Sequence, residues 1–183
     1  MRKLFILLFL SASSLLMAQN TNPIQEAMAN YDYETALQLM EQETPTVPLL
    51  YQKGRALKGL GYNDKALLVF QEIIEQDSLT PRAYIEAAEC CKSIAKQREA
   101  LDYYQSALNL NPDNKYVRIQ YISLLLNMKR NRDALKESNL LAEQDSSAFV
   151  LHLRAESMSR VCDNSEVHLV IEAYQDIQER YPK

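Results

Sequence analysis

The fold is decided by the stretch from Pro81 to Asn114, which reads PRAYIEAAECCKSIAKQREALDYYQSALNLNPDN. Its small, aromatic and proline residues have a spacing that the segments on both sides repeat. An alanine recurs every 34 residues, and a second residue of the pattern follows each alanine by four positions: Ala66 and Phe70, Ala100 and Tyr104, Ala134 and Ser138. A period of this length indicates a repeated helical hairpin.

The composition favours helices over strands. The chain has 183 residues, about one domain's worth, and 47% of them are apolar, so it can bury a core. It contains six prolines and only three glycines. This balance fits helices separated by tight turns better than a sandwich with many glycine-rich corners. We therefore expect almost no strand.

The apolar residues of the second helix in a repeat form one stripe. In the stretch 81–114 they are Ala100, Tyr104 and Ala107, at positions i, i+4 and i+7 of a helix. The alanines allow neighbouring helices to approach closely, and the aromatic rings fill the space beside them. A single hairpin cannot bury such a stripe, so a continuous core requires that successive hairpins stack.

These positions resemble those of the tetratricopeptide repeat family, whose unit is a pair of antiparallel helices with a W-x2-L-G-x2-Y…A-x3-F…P pattern. The best-matching repeat holds the family's positions with Tyr84, Ala87, Ala88, Cys91, Ala100, Tyr104, Ala107 and Pro112. The resemblance implies an all-α fold, a right-handed superhelical solenoid of antiparallel helix pairs. Taken with the amino-terminal segment described below, it suggests a secreted or periplasmic bacterial member of the family.

Four repeats are predicted, at residues 47–80, 81–114, 115–148 and 149–183. A shorter, degenerate helical hairpin at residues 19–46 precedes them and serves as the cap that repeat arrays need. The second helix of the fourth repeat keeps the pattern only if two residues are inserted in the turn around Val161 to Ser165. Two alternatives stay open, namely that the last helix closes the array or that the sequence is a fragment of a longer array.

Residues 1–18 are predicted to be a cleavable secretory signal peptide. Arg2 and Lys3 precede an apolar run from Leu4 to Leu10, and Ala18 is the small residue before the expected cut. The alternative is an uncleaved membrane anchor, since the segment has about the minimum length for a span. Serines interrupt it, however, and no basic cluster follows it. We expect a periplasmic or secreted protein without a membrane span after cleavage.

The net charge argues against nucleic acid as a partner. The full chain carries −4, and loss of residues 1–18 leaves 18 Lys and Arg against 24 Asp and Glu, a net charge of −6. Binding to phosphates requires clustered Lys and Arg, so the expected partner is a protein or peptide.

No motif for a cofactor, a metal or a catalytic centre is present. The sequence lacks HExxH, a glycine-rich phosphate loop and GxSxG, and neither His152 nor His168 lies near a second plausible metal ligand. Cys90, Cys91 and Cys162 are expected to fill helix contacts as small buried residues, in preference to a disulfide or a metal site. We predict a protein that is not an enzyme and needs no cofactor.

The resemblance places binding on the concave surface of the superhelix, which the first helices of the repeats line. The positions carried over from the family are Tyr51, Arg55, Lys58, Arg82, Ile85, Glu89, Lys92, Tyr116, Ile119, Ser123, Leu126, Val150, Leu153, Ser157 and Arg160. This groove is apolar in the middle and basic at its ends, which suits a peptide with hydrophobic anchors and some acidic character. For Ile119, Leu126 and Leu153 the alternative is the core, because a register error of one residue turns a side chain by about 100°.

These features predict a non-catalytic protein–protein interaction scaffold of the cell envelope, which holds a peptide or protein partner in the groove. One alternative is a permanent structural subunit of a larger envelope assembly. A helical enzyme is the second alternative, and no nucleophile, acid–base pair or phosphate loop supports it. The identity of the partner is not encoded in these patterns.

Overall fold

The computed structural model describes residues 22–182, and this part of the chain contains ten α-helices and no strand. The helices are α1 Pro23–Ala29, α2 Tyr33–Met40, α3 Val47–Gly59, α4 Asn63–Gln76, α5 Pro81–Ser93, α6 Gln97–Leu110, α7 Lys115–Asn127, α8 Asn131–Gln144, α9 Ala148–Ser159 and α10 Val167–Arg180. They pack as sequential antiparallel pairs, which confirms the predicted all-α array of helical hairpins.

The predicted signal peptide, residues 1–18, lies outside the described residues. Among the ten helices that are described, none combines the length and the apolar character needed to cross a bilayer.

Side-chain caps and prolines determine where several helices begin. At α1 the Oδ1 of Asn22 accepts a hydrogen bond from the N–H of Ile24 at 3.0 Å, and Pro23 occupies the first turn. At α3 the Oγ1 of Thr46 accepts from the N–H of Leu49 at 3.4 Å. Proline is tolerated here because the first N–H groups of a helix have no intrahelical acceptor. These signals end one hairpin and start the next.

The turns inside the hairpins share one backbone geometry. A residue with positive φ recurs every 34 residues, at Gly61 (79°), Ala95 (60°) and Lys129 (59°). In each turn the following N–H donates to the carbonyl five residues earlier, at 2.8–2.9 Å, in the pairs Tyr62 to Leu57, Lys96 to Cys91 and Arg130 to Leu125. This is the Schellman arrangement that closes a helix. Glycine adopts it most easily, and a residue with a Cβ loses about 1–2 kcal/mol in this conformation.

The turn between α9 and α10 is longer than the others. It takes residues 160–166, whereas the turns at 60–62, 94–96 and 128–130 each take three residues. Within it the Oδ1 of Asp163 accepts from the N–H of Ser165 at 2.8 Å and from the N–H of Glu166 at 3.2 Å. Hydrogen bonds from the hydroxyl and the N–H of Ser165 lower the pKa of the Asp163 carboxyl. The enlarged turn lies where the sequence pattern requires an insertion.

The described residues up to Val69 form one compact unit, which comprises α1 to α3 and the first half of α4. Its buried core includes Ile24, Ala27, Ala36 and Met40. At Gly59 the end of α3 approaches the ring of Tyr33 so closely that a Cβ would lie 2.2 Å from a ring carbon. Any other residue at position 59 therefore requires that Tyr33 moves.

Residues from Phe70 onward form a second compact unit, in which each helix from α5 to α10 packs against the next. The positions of the 34-residue period that fall in this unit are completely buried: Phe70, Ala100, Tyr104, Ala134 and Ser138. Ala66, which begins the same series in the first unit, is also completely buried. The residues that recur along the sequence are thus the residues packed between helices.

Replacing Ala95 by glycine measures the cost of the left-handed turn. Ala95 is exposed, so the variant loses no packing, and glycine reaches positive φ without the steric penalty. We expect Ala95→Gly to raise the free energy of unfolding by roughly 0.5–1 kcal/mol, measured by urea denaturation. The same atomic change inside α8, Ala142→Gly, is expected to lower it by about 1 kcal/mol. A loss of stability in both variants would contradict this account of the turn.

Candidate functional site

The structure places the predicted groove residues in two different environments. Ten of them are exposed or half-buried on the first helices of their hairpins: Tyr51, Arg55 and Lys58 on α3, Arg82, Ile85, Glu89 and Lys92 on α5, and Tyr116, Ile119 and Ser123 on α7. Arg160 is also exposed but follows the end of α9, where it pairs with Glu156 at 2.8 Å. We call the seven residues on α5 and α7 the α5–α7 face.

Four predicted groove positions are corrected by the structure. Leu126, Val150, Leu153 and Ser157 are buried and belong to the core. The reason is that α7 and α9 each pack between two neighbouring helices, so apolar residues surround most of their circumference. A single stripe cannot be assigned on such a helix, and the alternative of a core position applies to Leu126 and Leu153. Ser157 satisfies its hydroxyl inside the helix by donating to the carbonyl of Leu153 at 2.8 Å.

Glu89 is the centre of the α5–α7 face. Its Oε1 accepts hydrogen bonds from the hydroxyl of Tyr104 and, at 3.3 Å, from the hydroxyl of Tyr116. Its Oε2 lies 3.5 Å from the Nζ of Lys92. One carboxylate on α5 therefore holds side chains from α6 and α7.

Lys92 extends this network across the α5–α7 face. Its Nζ donates to the Oε1 of Gln120 on α7 at 2.8 Å and lies 5.7 Å from the ring centre of Tyr104. The side chains of Glu89 and Lys92 keep 25% and 31% of their exposure, so both charged groups still reach solvent. The face thus presents a fixed pair of opposite charges to anything that binds it.

Burial and the adjacent carboxylate act together on Tyr104. The ring is fully buried, and desolvation, then the hydrogen bond to Glu89, raise the pKa of its hydroxyl far above its usual value. The hydroxyl therefore stays protonated and acts as a hydrogen-bond donor to Glu89. Its role is to position the carboxylate, because a phenol in this state cannot serve as a base.

Sequence reasoning identified Glu89 and Lys92 but missed their partners Tyr104 and Gln120. Tyr104 was assigned to the core on its place in the period, which is correct for the ring and says nothing of the hydroxyl. The available signal is the change from Phe70 to Tyr104 at equivalent positions, since a buried hydroxyl needs a hydrogen-bond partner.

Other polar contacts of the second unit hold helices in place. Arg118 is buried on α7, where it pairs with Glu137 of α8 and donates to the carbonyl of Pro112 at 2.7 Å. The hydroxyl of Tyr121 donates to the Oε1 of Gln105 at 2.8 Å. Such contacts explain how a face built from long polar side chains keeps a fixed geometry.

In the first unit, Arg55 lies between two surface pockets. One of about 240 Å³ is lined by Met28, Ala29, Tyr31, Tyr33 and Arg55, and the other of about 340 Å³ by Gln25, Met28, Ala29, Gln52 and Arg55. Of the groove residues predicted on α3, the structure thus brings Arg55 together with residues of the first hairpin that sequence reasoning did not include. The signal was weak, because that hairpin departs from the repeat pattern.

The cysteines and acidic residues form no reactive or metal-binding centre in the described part of the chain. Cys90 and Cys91 are buried, Cys162 is half-buried in the long turn, and none is in a disulfide. Burial raises the pKa of the Cys91 thiol to about 11, so it stays protonated and unreactive. Among residues 22–182 no group of three or more His, Cys, Asp or Glu could hold a metal ion.

Comparison with known sequence families agrees with the fold. Residues 47–78 and 81–114 match the tetratricopeptide repeat, so these two segments are repeats of that kind. The match covers less than half of the chain, and the third and fourth hairpins rest on the structure. Comparison with curated proteins gives no match.

Several solved structures share the fold. A crystal structure of MamA is similar with a TM-score of 0.72 and 13% identity, over 87% of this chain and 92% of MamA. A MamA structure from Desulfovibrio magneticus RS-1 gives 0.70 and 16%, over 86% and 90% of the two chains. YrrB, described as a TPR protein with an unusual peptide-binding site, gives 0.68 and 17%, over 85% and 83%. At these identities the likeness establishes the TPR fold.

Two tyrosine-to-phenylalanine variants test the network around Glu89. Tyr104→Phe removes a buried donor to the carboxylate, and we expect the free energy of unfolding to fall by about 1–2 kcal/mol. Tyr116→Phe removes the same atom from an exposed ring, and its effect is expected to stay within about 0.5 kcal/mol. Urea denaturation of both proteins measures the difference. Equal effects would mean that the Tyr104 hydroxyl does not position Glu89.

Proposed function

We propose that this protein is a non-catalytic scaffold of the cell envelope that binds a peptide or a protein partner on its α5–α7 face. TPR arrays are in general scaffolds for protein–protein interaction, and they are generally non-catalytic. The observation that carries the proposal is the arrangement around Glu89, where charged and aromatic groups from three helices form a fixed and solvent-accessible surface.

The chemistry of the face suits a peptide with an apolar anchor beside polar groups. Ile85 and Ile119 are half-buried, and Tyr116 keeps 55% of its surface exposed. Large aromatic and aliphatic side chains supply most of the binding energy at protein interfaces, while charged pairs fix orientation. YrrB is described as having a peptide-binding site, and its fold is similar, which supports the same class of ligand here.

The cell envelope as the location is part of the proposal and rests on residues 1–18. Arg2 and Lys3 followed by an apolar run and a small residue at Ala18 are typical of a signal peptide. The half-buried and buried cysteines bear no relation to this inference, because they form no disulfide. A periplasmic or secreted protein of this kind would meet its partner outside the cytoplasm.

The intact mass of the native protein tests the location. We expect the protein isolated from envelope or medium fractions to lack residues 1–18, because the segment has the composition of a cleaved leader. Mass spectrometry of the undigested chain gives the answer directly. A native chain that retains Met1 to Ala18 would rule out cleavage.

A pulldown after crosslinking in cells tests the α5–α7 face. We expect Tyr116→Ala/Ile119→Ala to lose the partners that wild type recovers, because the exposed ring and the half-buried aliphatic side chain are the anchors of the face. Loss of an anchor of this kind costs about 1–2 kcal/mol or more, which is roughly tenfold in affinity. Quantitative mass spectrometry of the recovered proteins measures the change.

The matched control removes apolar surface from second helices of the same unit. Leu110→Ala/Leu140→Ala alters two exposed leucines on α6 and α8 and is expected to recover the wild-type partners. If both double variants recover the same proteins in equal amounts, the α5–α7 face is not the binding surface. A partner that survives high-salt extraction as a stoichiometric complex would favour the alternative of a permanent subunit of an envelope assembly.

A further inference from the structure

A cluster of four positive charges lies at one edge of the second unit, outside the α5–α7 face. Lys129 and Arg130 form the turn between α7 and α8, Arg132 is in the first turn of α8, and Arg160 follows α9. We call these four residues the basic turn surface. They border a depression of about 430 Å³ whose lining also includes Asn131, Asp133 and Val161.

The structure joins the two turns that supply these charges. The Nδ2 of Asn131 donates to the backbone carbonyl of Arg160 at 3.2 Å, so the end of α9 lies against the start of α8. Residues that are about 30 positions apart in sequence therefore face one depression. The arrangement is a consequence of the hairpin stacking and is not visible as a run of charges in the sequence.

Acidic neighbours neutralise only half of the cluster. Arg130 pairs with Asp133 at 2.7 Å and Arg160 with Glu156 at 2.8 Å, and all four side chains are about half exposed. Exposed ion pairs of this kind contribute little and exchange readily with other anions. Lys129 and Arg132 form no ion pair with any residue between positions 22 and 182.

The choice of residues in this turn is not explained by stability. Lys129 occupies the left-handed position that Gly61 holds two repeats earlier, where a Cβ is disfavoured. Positive charges next to the amino end of α8 also oppose the helix dipole. Both effects lower stability in a chain whose net charge is −4. A negatively charged partner would offset them.

We propose that the basic turn surface binds a short acidic segment of a protein partner, at a site separate from the α5–α7 face. The guanidinium groups of Arg132 and Arg160 match carboxylates, which they can hold with two parallel hydrogen bonds. The depression accommodates a few residues, and the surrounding chain is acidic. A long polyanion such as nucleic acid would be repelled beyond the cluster, whereas two or three consecutive carboxylates would not.

Fluorescence anisotropy with labelled hexaglutamate tests this proposal on the purified protein, with labelled hexaglutamine as the neutral reference. Wild type is expected to bind hexaglutamate more tightly than hexaglutamine and to lose affinity as salt is added. Lys129→Gly/Arg132→Ala is expected to weaken hexaglutamate binding by about tenfold. Glycine relieves the left-handed strain at position 129, so a loss of binding without a lower Tm separates recognition from folding.

The control variant removes the same charge elsewhere. Lys53→Ala/Lys136→Ala deletes two exposed lysines that form no ion pair in the described chain and is expected to change binding by less than about twofold. Tyr116→Ala/Ile119→Ala is also expected to retain hexaglutamate binding, which makes this site independent of the α5–α7 face. Equal loss in the two charge variants, or no preference for hexaglutamate over hexaglutamine, would overturn the proposal. Equally tight binding of labelled oligothymidylate would overturn the acidic peptide as the ligand class.

Discussion

Close approach of helices at small buried residues is the constraint on which the rest of the structure depends. Ala66, Ala100 and Ala134 are completely buried, and each is followed four residues later by a side chain that is also completely buried. A larger residue at these positions would force neighbouring side chains off their preferred rotamers, at a cost of about 1–3 kcal/mol. Because the same requirement recurs every 34 residues, it also fixes the length of each hairpin and the place of each turn.

The period predicts the architecture because it reports packing, and it says less about exposed surfaces. All-α hairpins, the prolines at helix starts and the enlarged turn after α9 follow from spacing and turn chemistry. The groove was predicted less well, since α7 and α9 are apolar on several sides and a stripe cannot be located on them. Leu126, Leu153 and Ser157 were placed on the surface for this reason, although they are core residues.

The polar network of the α5–α7 face could be predicted only in part. Glu89 and Lys92 are three residues apart on one helix, so their proximity follows from sequence. Their contacts with Tyr104 and Gln120 depend on how α6 and α7 are placed against α5, which requires the tertiary structure. A hydroxyl at a core position is nevertheless a usable sign, because burial without a partner is costly.

Equivalent positions within the chain show where packing alone does not explain a residue. One series runs Phe70, Tyr104 and Ser138, and only Tyr104 carries a hydroxyl that reaches an exposed carboxylate on another helix. A second series runs Gly61, Ala95 and Lys129, and only the last places a charge at a left-handed turn. In both series the fold is already satisfied by a simpler residue at the same position. The added hydroxyl and the added charge both lie in the second unit, at the two surfaces that present fixed polar groups to solvent.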